Sequence, residues 1–241
     1  MININLYTNK NTYYSSPTFN GQRLFSLNLR NNLKPDEFVP AFFTRLDSEE
    51  DLILLKSIQN LWNKTTYWKK IYIDFQETFL KRNYKNPDRF FMIECPQFKN
   101  FHEQVHALAK TNNTNNELYI SYLQSASEIP ELEKFRGAGL GIMRGLCKLA
   151  QQESYPQIGL VSSKNAKGFY NKIGFTQEQP KNNDYINYNY AQDKSFFSYN
   201  IFSPQEIRDN CFYGFHLSSK DYDLFLENTK LDYGDIIPVK E

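Results

Sequence analysis

The hydrophobic and polar positions change period along the chain, and those changes divide it into elements. Arg23-Leu24-Phe25-Ser26-Leu27-Asn28-Leu29 runs in short alternating pieces, so residues 1 to 40 predict one or two strands or a hairpin, closing near Pro35 and Pro40. Phe42 to Leu46 predicts a strand that runs into a helix. Asp47 or Ser48 can cap that helix, and Asp51 stands three after Ser48, as in a capping box. Leu52, Leu55, Ile58 and Trp62 then share one helical face, and Trp68, Ile71, Tyr72, Phe75 and Phe79 repeat the pattern up to a polar turn at Pro87. Arg89 to Glu94 predicts a strand ended by Pro96. Val105 to Lys110 and Glu117 to Ala126 flank the turn-forming run TNNTNN and predict a hairpin. Ser127 to Lys134 is an acidic connector containing Pro130.

Residues 135 to 175 organise the rest. A glycine-rich loop opens an apolar helical stretch that meets no proline until Pro156. A short strand, Ile158 to Val161, and a second helix ending in Phe169-Tyr170-Asn171-Lys172-Ile173-Gly174-Phe175 follow. Strands over Tyr185 to Tyr190 and Phe196 to Phe202, a helix from Ser203-Pro204 and a helix over Ser219 to Lys230 complete the pattern. There is no internal repeat and no long linker.

Composition narrows the function classes. With 241 residues, 40% apolar, 20 Phe and 17 Tyr, the chain can bury a sizeable core. A net charge of +1 provides no broad field toward nucleic acid or an anionic membrane. Cys95, Cys147 and Cys211 are widely spaced and odd in number, so a disulfide framework is not indicated and a reducing compartment is the simpler expectation. The first residues contain no apolar signal core, and no apolar run is long enough to span a bilayer. A soluble cytoplasmic protein is expected; export by a route that needs no N-terminal signal stays open.

Four of the ten glycines, Gly137, Gly139, Gly141 and Gly145, follow directly on Arg136. A tight loop opening a helix leaves first-turn N–H groups without partners, and the helix dipole adds a preference for an anion such as phosphate. No Gly-Lys-Ser/Thr follows, so the loop is not a P-loop. The spacing also fails the dinucleotide fingerprint, with no acidic residue at a strand end some 20 positions later. The plain alternative is a glycine turn needed only for close helix packing.

The order strand, Arg-x-x-Gly-x-Gly, helix, strand, helix, Phe-Tyr-x-Lys-x-Gly-Phe resembles the GCN5-related N-acetyltransferases, the GNAT superfamily. Arg136-Gly137-Ala138-Gly139-Leu140-Gly141 matches that family's [Arg/Gln]-x-x-Gly-x-[Gly/Ala] motif, and Ala166 to Phe175 is similar to its second motif. The family often has Asn seven positions before the tyrosine; Ser163 stands there in this chain, with Asn165 two further on. The link from the fourth strand to Arg136 is also several residues longer than usual. The resemblance implies an α/β (α+β) fold, a mixed central sheet splayed around acetyl-CoA with helices on both faces. It implies a GNAT domain over 41 to 200, an N-terminal extension of strands over 1 to 40 and a C-terminal helical extension over 201 to 241.

The same resemblance implies an N-acetyltransferase that moves an acetyl group from acetyl-CoA to a primary amine by direct attack. Amides of 137 to 141, with Arg136 and with Ser163 or Asn165, would hold the cofactor. The pantetheine arm would lie between strands about 118 to 126 and 158 to 161. Tyr170 would protonate the departing thiolate, where the plain alternative is a core tyrosine. Glu94, Glu117, Glu128 and His106 lie near the relevant strands, and none is singled out as base. No metal is expected. The acceptor is a small-molecule or protein amine, with no nucleic acid or membrane partner, and the protein is a monomer or homodimer.

Two other readings stand beside this one. The same fold can bind acyl-CoA or a protein partner without turnover. His102-Glu103-Gln104-Val105-His106 also spells H-E-x-x-H, which on a helix puts two histidines about 6 Å apart on one face, as a zinc hydrolase needs. On a strand the same spacing is roughly 13 Å, too far for one ion. Ser219 to Glu241 carries six acidic residues against three lysines, which reads as a solvated face or as an attraction for an amine cation.

Overall fold

The computed structural model describes residues 21–177 and 213–239, except positions 33, 35, 66, 81–87, 101–102, 114–116, 127–128, 130–134, 163–164 and 231–232. The expected strands over 185 to 190 and 196 to 202, the helix from Ser203 and Cys211 lie outside the described residues. The elements in chain order are β1 (Gln22–Asn31), β2 (Phe38–Leu46), α1 (Glu49–Ser57), α2 (Gln59–Trp62), α3 (Trp68–Leu80), β3 (Asp88–Glu94), β4 (Val105–Asn113) and β5 (Leu118–Ser125). There follow β6 (Phe135–Arg136), α4 (Ala138–Gln152), β7 (Gln157–Ser162), α5 (Lys167–Lys172), β8 (Thr176–Gln177), β9 (Tyr213–Ser218), α6 (Tyr222–Asn228) and β10 (Ile237–Pro238). One mixed sheet runs β10-β1-β2-β3-β4-β5-β7-β9-β8, with β6 on β1. Among the described strands only β5 and β7 pair in parallel.

Helix α4 packs on one face of the sheet, over Leu27, Phe43, Phe91, Ile93 and Ala109, and α1 to α3 cover the other over Phe90, Met92, Leu108 and Tyr122. Helices on both faces of a mixed sheet are the layers expected from the sequence. Alternation in β1 places Phe25, Leu27 and Leu29 under α4. That strand belongs to the central sheet, although it falls before residue 41. So does β9, in a stretch whose pattern predicted only helices; it wedges between β7 and β8 and contributes Phe215 and Leu217 to the core. The helical pattern from Leu52 to Trp62 is divided at Ile58 (φ −87°, ψ 0°) into α1 and α2.

The start of α1 follows from two side chains. Ser48 Oγ accepts from Asp51 N–H at 3.1 Å, and the Asp51 carboxylate accepts from Ser48 N–H at 3.1 Å. Asp51 also accepts from Gly21 and Asp47 N–H, each at 3.1 Å, so the box ties the approach to β1 onto the helix start. Ser48→Ala is expected to lower stability by about 1 kcal/mol, read as a lower urea midpoint with an unchanged slope. Among the described residues no helix is long and apolar enough to cross a membrane.

One irregularity in β5 creates the site. Its ladder with β4 steps from Lys110↔Tyr122 to Thr111↔Ile120, so Ser121 is an extra residue, a β-bulge. Before the bulge Leu118 and Ile120 join the α4 layer; after it Tyr122 joins the α1 to α3 layer. The parallel ladder to β7 covers Leu118↔Ile158, Tyr119↔Gly159 and Ile120↔Leu160, then stops. Strand β7 itself continues to Ser162 on β9. A gap therefore opens between β5 and β7 where the bulge bends β5 away.

Candidate active site

The glycine loop lies at the β5 end of that gap. Strand β6 anchors it, pairing Arg136 with Arg30 and Phe135 with Asn31, and the Arg136 residue stays exposed. Gly137 caps α4 with φ +94°, a left-handed conformation that L side chains rarely adopt. Its carbonyl accepts from Gly141 N–H at 2.6 Å. The Gly141 amide is thus committed to the helix, whereas those of Ala138, Gly139 and Leu140 have no intrahelical acceptor. A Cβ at Gly139 would find only Ser125 Cβ, at 3.8 Å, so the backbone is open to approach beside the end of β5.

The other two glycines of the loop do different work. A Cβ at Gly141 would stand 2.8 Å from Leu27 Cδ1, and one at Gly145 would stand 2.3 Å from Phe43 Cδ2. These positions let α4 settle onto β1 and β2. The amides left without an intrahelical acceptor are accordingly those of 138 to 140, and the Gly141 amide of the sequence motif is not among them.

Tyr170 lies on α5, 7% exposed, among Phe169, Phe175 and Phe215 at ring-centroid distances of 5.1, 5.9 and 5.5 Å. Its phenol makes no hydrogen bond to any described residue. Burial, reinforced by the neighbouring Tyr67 phenol, pushes the Tyr170 pKa well above the usual tyrosine value, so the group keeps its proton through neutral pH. Tyr67 is held over β5: its N–H donates to Gln124 Oε1 at 2.9 Å, and its ring stacks on Tyr122 at 5.8 Å. Gln124, buried after the bulge, also donates to Ser125 C=O at 3.1 Å. Tyr170, on the helix after β7, and Tyr67, pinned to β5, are thus near enough for the Tyr67 phenol to add to the rise of the Tyr170 pKa.

Of the other expected site residues, Asn165 is exposed in the turn before α5, and Ser163 lies outside the described residues. The candidate bases do not converge on Tyr170. Glu94 is buried on β3, with β4 between it and β5, bonded to Arg23 and to Thr44 Oγ1. Burial raises its pKa despite the guanidinium. Glu117 accepts from Gln157 Nε2 at 3.0 Å, before β5 reaches the gap. His106 packs between Phe98 and Phe135, at 5.9 and 5.2 Å. Glu128 lies outside the described residues.

Where it is described, the H-E-x-x-H segment passes from a 3-10 turn at Glu103 into a strand, so no α-helix runs through it. Val105 and His106 open β4, and the ladder step between Ile93↔Ala107 and Glu94↔Val105 leaves His106 as a bulge residue. His102 lies outside the described residues, and among those described no cluster of three His, Cys, Asp or Glu could hold a metal. The strand disposition removes the helical pair on which the zinc reading depends.

The gap between β5 and β7, with the first turn of α4 at its mouth, is the splayed sheet that the sequence motif implies. A mixed sheet with helices on both faces is the architecture that the resemblance implies. A structural comparison gives neighbours of the same kind. A GNAT-family protein from Desulfovibrio desulfuricans is 11% identical, with TM-score 0.47 over 74% of this chain and 99% of that one. The spermidine/spermine N-acetyltransferase SpeG from Vibrio cholerae is 17% identical, with TM-score 0.45 over 76% of this chain and 96% of its own. The N-acetyltransferase PseH from Campylobacter jejuni is 16% identical, with TM-score 0.41 over 74% and 97%. At these scores the likeness is loose, and the chemistry has to be argued from the chain's own residues. No family model matches, and no curated protein is similar in sequence.

The residues missed by sequence reasoning are Tyr67, Tyr122 and Gln124, together with Arg144 and Tyr233 near the glycine loop. None carries a local motif. The first three are brought together on one face because the Ser121 bulge turns β5 over.

Proposed function

We propose that the protein is an acetyl-CoA-dependent N-acetyltransferase acting on a primary amine. The observation that carries this reading is the Tyr170 phenol, without a hydrogen bond to any described residue, together with a gap in the sheet and the first-turn amides of α4 near it. The residues present fit the donor. Ala138, Gly139 and Leu140 N–H and the Arg136 side chain would take the pyrophosphate, with the α4 dipole adding to the attraction. Gly139 leaves room where a side chain would obstruct that approach. Past Ile120, where the ladder to β7 stops, β5 would present backbone groups to the pantetheine amides.

Acetyl-CoA, when bound, would supply the thioester. The chain would supply three things. A β5 N–H facing the gap would stabilise charge on the thioester oxygen. Tyr170 Oη would give its proton to the departing sulfur, a role that the raised pKa suits because the proton is retained until a thiolate develops. Tyr67 and the rings around Tyr170 would limit water near the reacting atoms. The amine is taken to enter neutral or to lose its proton to solvent, since no carboxylate of the described residues stands beside Tyr170. The catalytic unit on this reading takes in β1 and β9 as well as 41 to 200, because both are strands of its sheet.

Incubation with acetyl-CoA and a panel of polyamines, aminoglycosides, lysine and peptide N-termini, following free thiol, tests the proposal. Thiol release with at least one amine is the expected result. Tight acyl-CoA binding with no release across the panel would favour a binding module instead.

A further inference from the structure

The segment after α6 passes over the glycine loop. Tyr233 and Gly234 N–H donate to Lys230 C=O at 2.9 and 2.8 Å, and Gly234 turns the backbone with φ +69°. This turn sets the Tyr233 ring against the α-carbon of Gly137, where a Cβ would meet three ring carbons at 2.3, 2.7 and 3.0 Å. The ring is therefore a direct neighbour of the helix cap whose next three amides have no intrahelical acceptor.

The segment is fixed at several points. Arg144 of α4, 1% exposed, donates from Nη2 to Gly234 C=O at 2.6 Å. Asp235 pairs with Lys230 at 3.0 Å. Beyond them β10 lies on β1, with Ser26 Oγ donating to Ile237 C=O at 3.3 Å and Val239 N–H to Leu24 C=O at 3.0 Å. Nε and Nη1 of Arg144 have no partner among the described residues. A buried guanidinium with one hydrogen bond is costly to retain for packing alone. Here it holds the carbonyl that follows Tyr233. These contacts tie the segment to α4 and to β1.

Resting on the acetyl-CoA reading above, we infer that the Tyr233 ring is a wall of the pocket for the nucleotide half of coenzyme A, with Arg144 as the positioning residue that holds it there. A diphosphate on the amides of 138 to 140 carries its adenosine past Gly137. The aromatic face there offers a base the sequence-tolerant stacking that rings supply. The pantetheine half would be held by β5, away from Tyr233.

Calorimetric titration of the wild type, Tyr233→Ala and Tyr233→Phe with coenzyme A and with pantetheine tests this. Tyr233→Ala is expected to weaken coenzyme A on the order of tenfold, with pantetheine unchanged and Tyr233→Phe close to wild type. A wild type that binds coenzyme A while Tyr233→Ala binds it equally well overturns the wall alone. Equal weakening of both ligands also overturns it, since the effect would then be general loosening. A wild type that binds neither ligand overturns the acetyl-CoA reading itself, and the wall with it.

Discussion

Tyr170→Phe is expected to lower turnover by on the order of a hundredfold or more, the usual contribution of a positioned general acid, with coenzyme A affinity unchanged. The substitution isolates one atom. Phenylalanine keeps the ring contacts with Phe169, Phe175 and Phe215, and no hydrogen bond is lost because the phenol makes none to the described residues. Thermal stability should therefore stay at the wild-type value, which separates a chemical effect from a folding effect. A purely structural tyrosine would give the opposite pattern, with unchanged thiol release in the steady state. Turnover at the wild-type rate would end the catalytic role of Tyr170.

Gly145→Val is expected to destabilise the fold by about 1–3 kcal/mol, a sizeable share of the roughly 5–15 kcal/mol that holds a domain together. The first added carbon would already lie 2.3, 2.4 and 2.7 Å from Cδ2, Cγ and Cε2 of Phe43. That ring cannot retreat, because it stacks between Phe25 at 5.9 Å and Phe91 at 4.9 Å and is fully buried. Helix propensity favours valine over glycine by only a few tenths of a kcal/mol, too little to offset the clash. Gly168→Ala is the control, since a Cβ there meets nothing within 4 Å. Urea unfolding of both variants gives the comparison; equal midpoints would mean that α4 can lift from β2 at no cost.

The parts of this fold that rest on local chemistry were legible in the sequence. Ser48 and Asp51 announce a capping box by spacing alone, the two apolar runs on either side of TNNTNN pair as a hairpin although Thr111 to Asn113 still belong to β4, and the glycines after Arg136 mark the start of α4. The rest depends on partners distant in sequence. Leu118, Ile120, Tyr122 and Gln124 are all buried at alternate positions, so the strand looks uninterrupted, yet the Ser121 bulge moves the last two to the other face. Because both faces are covered, burial alternates straight through the bulge. In the same way, Gly139 and Gly145 look alike in the glycine-rich run, and only the nearness of Phe43 shows that Gly145 is needed for packing while Gly139 leaves the backbone open. Tyr67 enters the site through a hydrogen bond to Gln124, which no spacing rule contains.

The position of β9 bears on the order in which the chain becomes active. Strand β8 pairs only with β9 among the described strands, and Phe215 and Phe225, which pack around Tyr170 and Phe175, come from β9 and α6. During synthesis the glycine loop and α4 can form while those residues are still unmade. The ring cluster that encloses the Tyr170 phenol has to wait for the strand that closes the sheet. An interrupted chain ending before Tyr213 would thus carry the anion-binding turn without a seated acid. On the acetyltransferase reading it could hold the donor's phosphates without spending the thioester, so release from the ribosome, rather than completion of the phosphate loop, would start the chemistry.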